Sequence, residues 1–310
     1  MYHGRFSDSI LGERVARTSL FVLLAAYLFA CAPSLREKAS YAIAKRDYPK
    51  AIASLEEHLL HTPDDESATC DLLQLYGAVH ETEKAERRLA SLEEKKAVRA
   101  PHLFAMGRAY EFDHAFDRAL TAYGQAVERF GARGDVLRDA GFRAARLNDG
   151  ERAAKWLEQA RSLGQRDAEL FHALALSLAA TEEYPRALET YRACENDPEF
   201  GEACTRGIAS VALKTRDHAL ALAAYEKILQ AHSRDGASED RGSKDGGAVL
   251  GATWSLIELG RYEEAKKRLL DFQRLPRSRR YQTPLHKQLD EITRRTTGTA
   301  ASPAPSQTVQ

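Results

Sequence analysis

The most constraining feature of this chain is a pair of residues, one small and one large, set four positions apart and repeated along it. The pairs are Ala51/Leu55, Ala85/Leu89, Ala119/Tyr123, Ala153/Leu157, Ala187/Tyr191, Ala221/Tyr225 and Ala265/Leu269, separated by five successive intervals of 34 residues and then one of 44. A fixed period of this length means that one supersecondary unit recurs, and no such unit can bury its apolar face alone. Within each unit the apolar residues fall at spacings of three and four, which keeps them on one stripe of a helix. The small residue marks where a second helix passes closest to the first, and the large residue one turn on fills the gap that remains. Composition agrees: Ala, Leu, Glu, Arg and Lys dominate, with 10 Pro and 19 Gly in 310 residues, a balance that favours helix over sheet.

In that register the third unit places Leu103, Met106, Gly107, Tyr110, Ala119, Tyr123 and Ala126 where the tetratricopeptide repeat has Trp, Leu, Gly, Tyr, Ala, Phe and Ala. The second unit matches through Leu72, Tyr76, Ala85 and Leu89, the fourth through Leu137, Gly141, Ala153, Leu157 and Ala160, and the fifth through Phe171, Leu174, Ala175, Ala187 and Tyr191. The first unit ends in Ala51, Leu55 and Pro63, the last being the terminating proline of that family. Lys38 and Ala42 in the first unit and Thr253 in the seventh depart from the pattern. The chain thus resembles the tetratricopeptide-repeat (TPR) family. That resemblance implies an all-α, right-handed α-solenoid of about seven helix-turn-helix repeats. Repeats one to six span 31–232 and repeat seven spans 248–277. The ten extra residues fall in 233–247, which has no apolar residue larger than Ala and reads as a solvated loop. Residues 278–295, with Leu285, Leu289 and Ile292 on one face, read as a capping helix, and 296–310 as a disordered Thr/Ala/Ser/Pro tail.

The amino terminus reads as an address. Arg5, Arg14 and Arg17 precede an uncharged run from Leu20 to Ala30, a basic segment followed by a short apolar one. As a helix this run rises roughly 16–20 Å, short of a hydrocarbon core of about 30 Å, so cleavage is the expectation and an uncleaved signal anchor the alternative. Ala30-Cys31-Ala32 has the small-x-small pattern of ordinary signal peptidase, but Pro33 would then follow the cut, where its ring suits a protease poorly. Leu28-Phe29-Ala30-Cys31 resembles the lipobox of bacterial lipoproteins, with Phe29 departing from the residue usual at its place. The resemblance implies a signal peptide over 1–30 and a diacylglycerol on Cys31. Ala32, not Asp, after the cysteine implies transfer to the outer membrane, with the mature chain on the periplasmic face.

Charge excludes some partners. Lys plus Arg equals Asp plus Glu at 45 each, so no long-range field favours nucleic acid. Cys31, Cys70, Cys194 and Cys204 form no CxxC or Cys/His spacing of a zinc site, and neither metal nor cofactor is expected. Cys194 and Cys204 flank the turn between the fifth and sixth units, which leaves a disulfide or two buried thiols as readings. His58 and His61, one turn apart, read as a polar helix end. Gly236 to Lys244 fails as a phosphate loop because its glycines are too far apart, Ser precedes Lys and no strand leads in. No catalytic constellation can be nominated, so the expectation is a binding protein and not an enzyme.

In TPR proteins the first helix of each unit lines a concave surface that takes extended segments or helices. Carried over, those positions are Phe104, Arg108 and Phe112; Arg138, Phe142 and Arg146; His172 and Leu176; Arg206; and Trp254. The set implies an aromatic and cationic groove for an apolar peptide bearing carboxylates. Gln74, Arg108, Phe142, Leu176 and Ser210 stand where chaperone-binding members carry their carboxylate-clamp asparagines. The resemblance therefore implies an envelope scaffold or adaptor that assembles or localises a pilus, secretion or polysaccharide-export machine. An inner-membrane-anchored chaperone-like protein is the second reading, and glycan binding or catalysis in the groove the third.

Overall fold

The computed structural model describes residues 33–234 and 242–297. Among them are fifteen α-helices and no strand. They are α1 (Leu35–Ala44), α2 (Tyr48–His61), α3 (Glu66–Ala78), α4 (Thr82–Glu94), α5 (Ala100–Phe112), α6 (Phe116–Phe130), α7 (Gly134–Arg146), α8 (Gly150–Ser162), α9 (Ala168–Ala180), α10 (Tyr184–Arg192), α11 (Gly201–Lys214), α12 (His218–Arg234), α13 (Gly242–Glu258), α14 (Tyr262–Gln273) and α15 (Gln282–Thr297). A short 3₁₀ turn, Pro276–Tyr281, precedes α15. The chain divides into two compact units, the first ending at Ala126 and the second beginning at Val127. The first holds the hairpins α1/α2, α3/α4 and α5/α6 up to that residue, and the second holds α7/α8, α9/α10, α11/α12, α13/α14 and the closing helix.

The period in the sequence is a period in space. All seven alanines, from Ala51 to Ala265, have no exposed surface. Of their partners one turn on, Leu55, Tyr123, Leu157 and Leu269 are equally hidden. Tyr123 lies so close over α5 that a Cβ on Gly107 would fall 2.2 Å from its ring, and Leu157 covers Gly141 in the same way at 2.5 Å. The turn inside each hairpin is uniform. One residue per hairpin takes positive φ: Arg46, His80, His114, Asn148, Glu182, Arg216 and Gly260, between 56° and 74°. The next N–H then reaches back five residues to the first helix, as from Asp47 to Ala42 O at 2.9 Å and from Asp217 to Ala212 O at 2.8 Å, the closure that satisfies helix-end carbonyls. Asp47 and Asp149 cap the second helix by accepting from Lys50 N and Arg152 N.

The outer repeats accommodate their departures. Lys38 is exposed on α1, the first of the described helices, and Ala42 is buried. Thr253 is fully buried and donates its hydroxyl to Val249 O at 2.7 Å. In the second unit Leu285 and Ile292 of α15 are buried, and Leu289 packs with them against Leu256, Ile257, Leu269 and Phe272.

Two boundaries differ from the sequence reading. α12 runs to Arg234 and α13 already begins at Gly242, inside the stretch read as solvated loop. The ring of Tyr281 lies on Gly246, where only glycine fits, and so supplies burial that the local sequence lacks. α15 continues to Thr297, two residues into the stretch read as tail. Residues 235–241, 298–310 and the amino terminus with Cys31 lie outside the described residues, as does most of the phosphate-loop-like stretch.

Candidate functional site

In the second unit, the first helices of the fifth and sixth hairpins, α9 and α11, lie beside each other and leave an open groove of about 330 Å³. α9 starts where Asp167 accepts from Leu170 N at 3.0 Å. α11 starts differently. No side chain caps it; instead Asp197 Oδ1 accepts from both Glu199 N and Phe200 N at 2.9 Å and shapes the turn before it. α10 is the shortest of the second helices, and just after its end Cys194 is joined to Cys204 of α11 by a disulfide with Cα atoms 6.0 Å apart. Both cysteines are buried.

Tyr191 forms the floor. It is only 2% exposed, and burial pushes its hydroxyl up to about pKa 12. Its ring meets α11 at Gly207, where a Cβ would lie 2.2 Å away. Gly207 is thus fixed by a contact with the preceding hairpin. His172 stands against this floor, its ring 6.2 Å from that of Tyr191 and 6.0 Å from that of Phe200. Burial alone pulls its pKa below the usual imidazole value, so the neutral ring with one N–H is its resting form. Leu176 projects from α9 with half its surface exposed. Ala179, Ala180, Ala203 and Ser210 keep the walls low, and Lys214 closes the C-terminal end of α11 with its ammonium 5.9 Å from the Tyr184 ring.

The residues carried over from the sequence fall into four environments. Leu176 and His172 line this groove together with Arg206. Arg206, however, is held by Glu202 through Nε at 3.0 Å and Nη2 at 2.7 Å, and Glu202 also meets His232 at 3.0 Å. Arg138 likewise is spent as a clamp: its guanidinium donates to both oxygens of Asp167 at 3.1 Å and to Glu169 at 2.7 Å, and covers Phe142 at 4.4 Å. Its charge ties α7 to α9, which corrects the place of Arg138 as a groove cation for a partner's carboxylate. Phe104 is also corrected. It is 9% exposed and packs on Tyr123 at 5.9 Å, inside the first unit. Arg108 is half-buried there and Phe112 exposed, while Arg146 and Trp254 are exposed in the second unit.

Sequence reasoning missed Ala203, Gly207, Ser210 as a wall, and Lys214. A signal existed: Gly207 and Gly251 lie 44 residues apart, the interval of Ala221 and Ala265, and Gly251 is covered by Tyr225 as Gly207 is by Tyr191. His58 binds Asp65 at 2.8 Å, joining the end of α2 to the cap of α3.

No family model matches the sequence, and no curated protein matches it. Solved structures do. The C-terminal part of a TPR repeat-containing protein from Cytophaga hutchinsonii superposes with a TM-score of 0.59 at 14% identity, over 82% of this chain and 97% of that one. The fold is that of tetratricopeptide-repeat proteins. A tetratricopeptide repeat protein from Parabacteroides merdae covers 84% of this chain and 97% of its own at 13% identity and a TM-score of 0.45. MamA covers 62% and 96% at 17% identity, also with a TM-score of 0.45. At these identities the likeness concerns the TPR architecture.

Proposed function

We propose that the protein is a lipid-anchored periplasmic TPR scaffold that holds another protein in the α9/α11 groove and so assembles or localises an envelope machine. The observation that carries the binding role is the groove itself: an exposed leucine, a neutral imidazole, low Ala/Gly/Ser walls and a lysine at one end. Such a surface takes an apolar segment as an extended strand or helix face, and Lys214 favours a carboxylate at the end it occupies. TPR architecture supports this reading because stacked hairpins present long binding surfaces. The anchor rests on the lipobox resemblance around Cys31.

Two experiments test the two halves. A photo-crosslinker at Leu176 or Ser210 should capture a discrete envelope protein in cells, whereas the same group at Lys155 on α8 should not. Equal capture at all three places would remove the groove from the account. Separately, Cys31→Ser should leave unprocessed precursor or release the chain from the outer-membrane fraction. Unchanged mass and fractionation would end the lipoprotein reading, and an uncleaved chain in the inner membrane would favour the chaperone-like alternative.

A further inference from the structure

We propose that the turn joining α14 to α15 is a contact surface for an anionic phospholipid bilayer, independent of the groove and of any acyl group on Cys31. The turn Pro276–Tyr281 is 3₁₀, so residues three apart lie on one side. Ser278 and Tyr281 take the inner side. Ser278 is 2% exposed and donates its hydroxyl to Gln273 O at 3.0 Å, and the Tyr281 ring lies 5.8 Å from that of Phe272 and against Gly246. The two residues between them, Arg279 and Arg280, are therefore turned to solvent, and neither has an ion-pair partner among the described residues.

Charge around them is one-sided. Residues 272–289 contain Arg274, Arg277, Arg279, Arg280, His286 and Lys287 and no Asp or Glu. Arg274 is partly offset by Asp271 at 3.1 Å. Lys266 and Lys267 are exposed one to two turns earlier on α14. Of the acids on the flanking helices, Glu264 is held by Arg261, and Glu291 by Arg294 and Arg295. Over 262–297 the count is ten Lys and Arg against five Asp and Glu, in a chain balanced at 45 each. The basic excess at this end is matched by an acidic excess elsewhere.

A bilayer fits better than a nucleic acid. Single-stranded nucleic acid is held by exposed aromatic rings, and here Phe272 and Tyr281 are turned inward. What lies open beside the arginines is aliphatic: Leu270 and Leu275 are 38% and 37% exposed. Cations flanked by exposed leucines are the pattern that settles at the boundary of headgroups and acyl chains, where each cation strengthens binding about fivefold.

The test is co-sedimentation of the full chain with two kinds of vesicle, phosphatidylcholine alone and an equal mixture with phosphatidylglycerol. The apolar run before Cys31 contributes to both, so the readout is the ratio of the two affinities. We expect at least about 25-fold tighter binding to the anionic vesicles, from about fivefold per arginine, with most of that preference lost in Arg279→Gln/Arg280→Gln and all of it shrinking as salt rises. Both arginines are exposed, and an unchanged far-UV dichroism spectrum would confirm that folding is intact. Equal binding to both vesicles, or a ratio unmoved by the double variant, overturns the proposal. Poly(U) binding tighter than vesicle binding and lost in the same variant would also overturn it, in favour of nucleic acid.

Discussion

Phe104 on Tyr123 in the first unit and His172 on Tyr191 in the second occupy the same places in the repeat, 68 residues apart. Their ring geometry is alike, at 5.9 and 6.2 Å. Yet Phe104 is core and His172 lines an open groove. Both tyrosines rest on a glycine, but on different ones. Tyr123 covers Gly107 of its own hairpin, whereas Tyr191 covers Gly207 of the next. The period fixes where a ring stands. The small residues around it decide whether that place becomes core or binding surface.

The sharpest way to break the equivalence is to remove both floors. Tyr123→Ala and Tyr191→Ala should each cost about 3–5 kcal/mol by denaturant unfolding, as for other large buried rings. A much smaller loss at Tyr191 would mean that the groove floor is dispensable to the fold. Next comes the disulfide, which has no counterpart among the described residues of the first unit. Closing a loop of ten residues should stabilise by about 2–3 kcal/mol, so Cys194→Ala/Cys204→Ala should lower the midpoint accordingly. Dithiothreitol should do the same to the wild type and nothing to the variant.

A smaller effect separates the two pairs by pH. Burial holds the pKa of His172 below its unfolded value of about 6.5, so the folded state binds its proton less well. Its contribution is constant above that pH, and stability is lost as pH falls through it, by at most about 1.4 kcal/mol per unit. His172→Phe should flatten that fall, and Phe104→His should steepen it. His102, buried and likewise lowered by burial, leaves a residual slope in both. The smallest effect tests the turns: Arg216→Gly at φ 60° should stabilise by about 1 kcal/mol, with a similar gain for Arg46→Gly in the first unit.

Helix class, hairpin register and buried alanines were legible because a helix repeats every 3.6 residues and a hairpin needs a small residue at its crossing. The groove was less so. Family positions located His172 and Leu176, but Arg138 has its carboxylate 29 residues away, a pairing that sequence spacing leaves open, whereas Glu202 and Arg206 stand at the i,i+4 spacing of a helical ion pair. The first turns of α13 were read as loop because the ring that covers Gly246 comes from Tyr281, 35 residues further on.

By itself, then, the sequence determined the repeating hairpin, since local periodicity and one small residue per crossing are properties of contiguous chain. Tertiary structure alone decided which rings are core, that Arg138 is neutralised from the next hairpin, and where space remains between α9 and α11. Those outcomes depend on contacts between hairpins, and side chains from distant segments compete for the same surface.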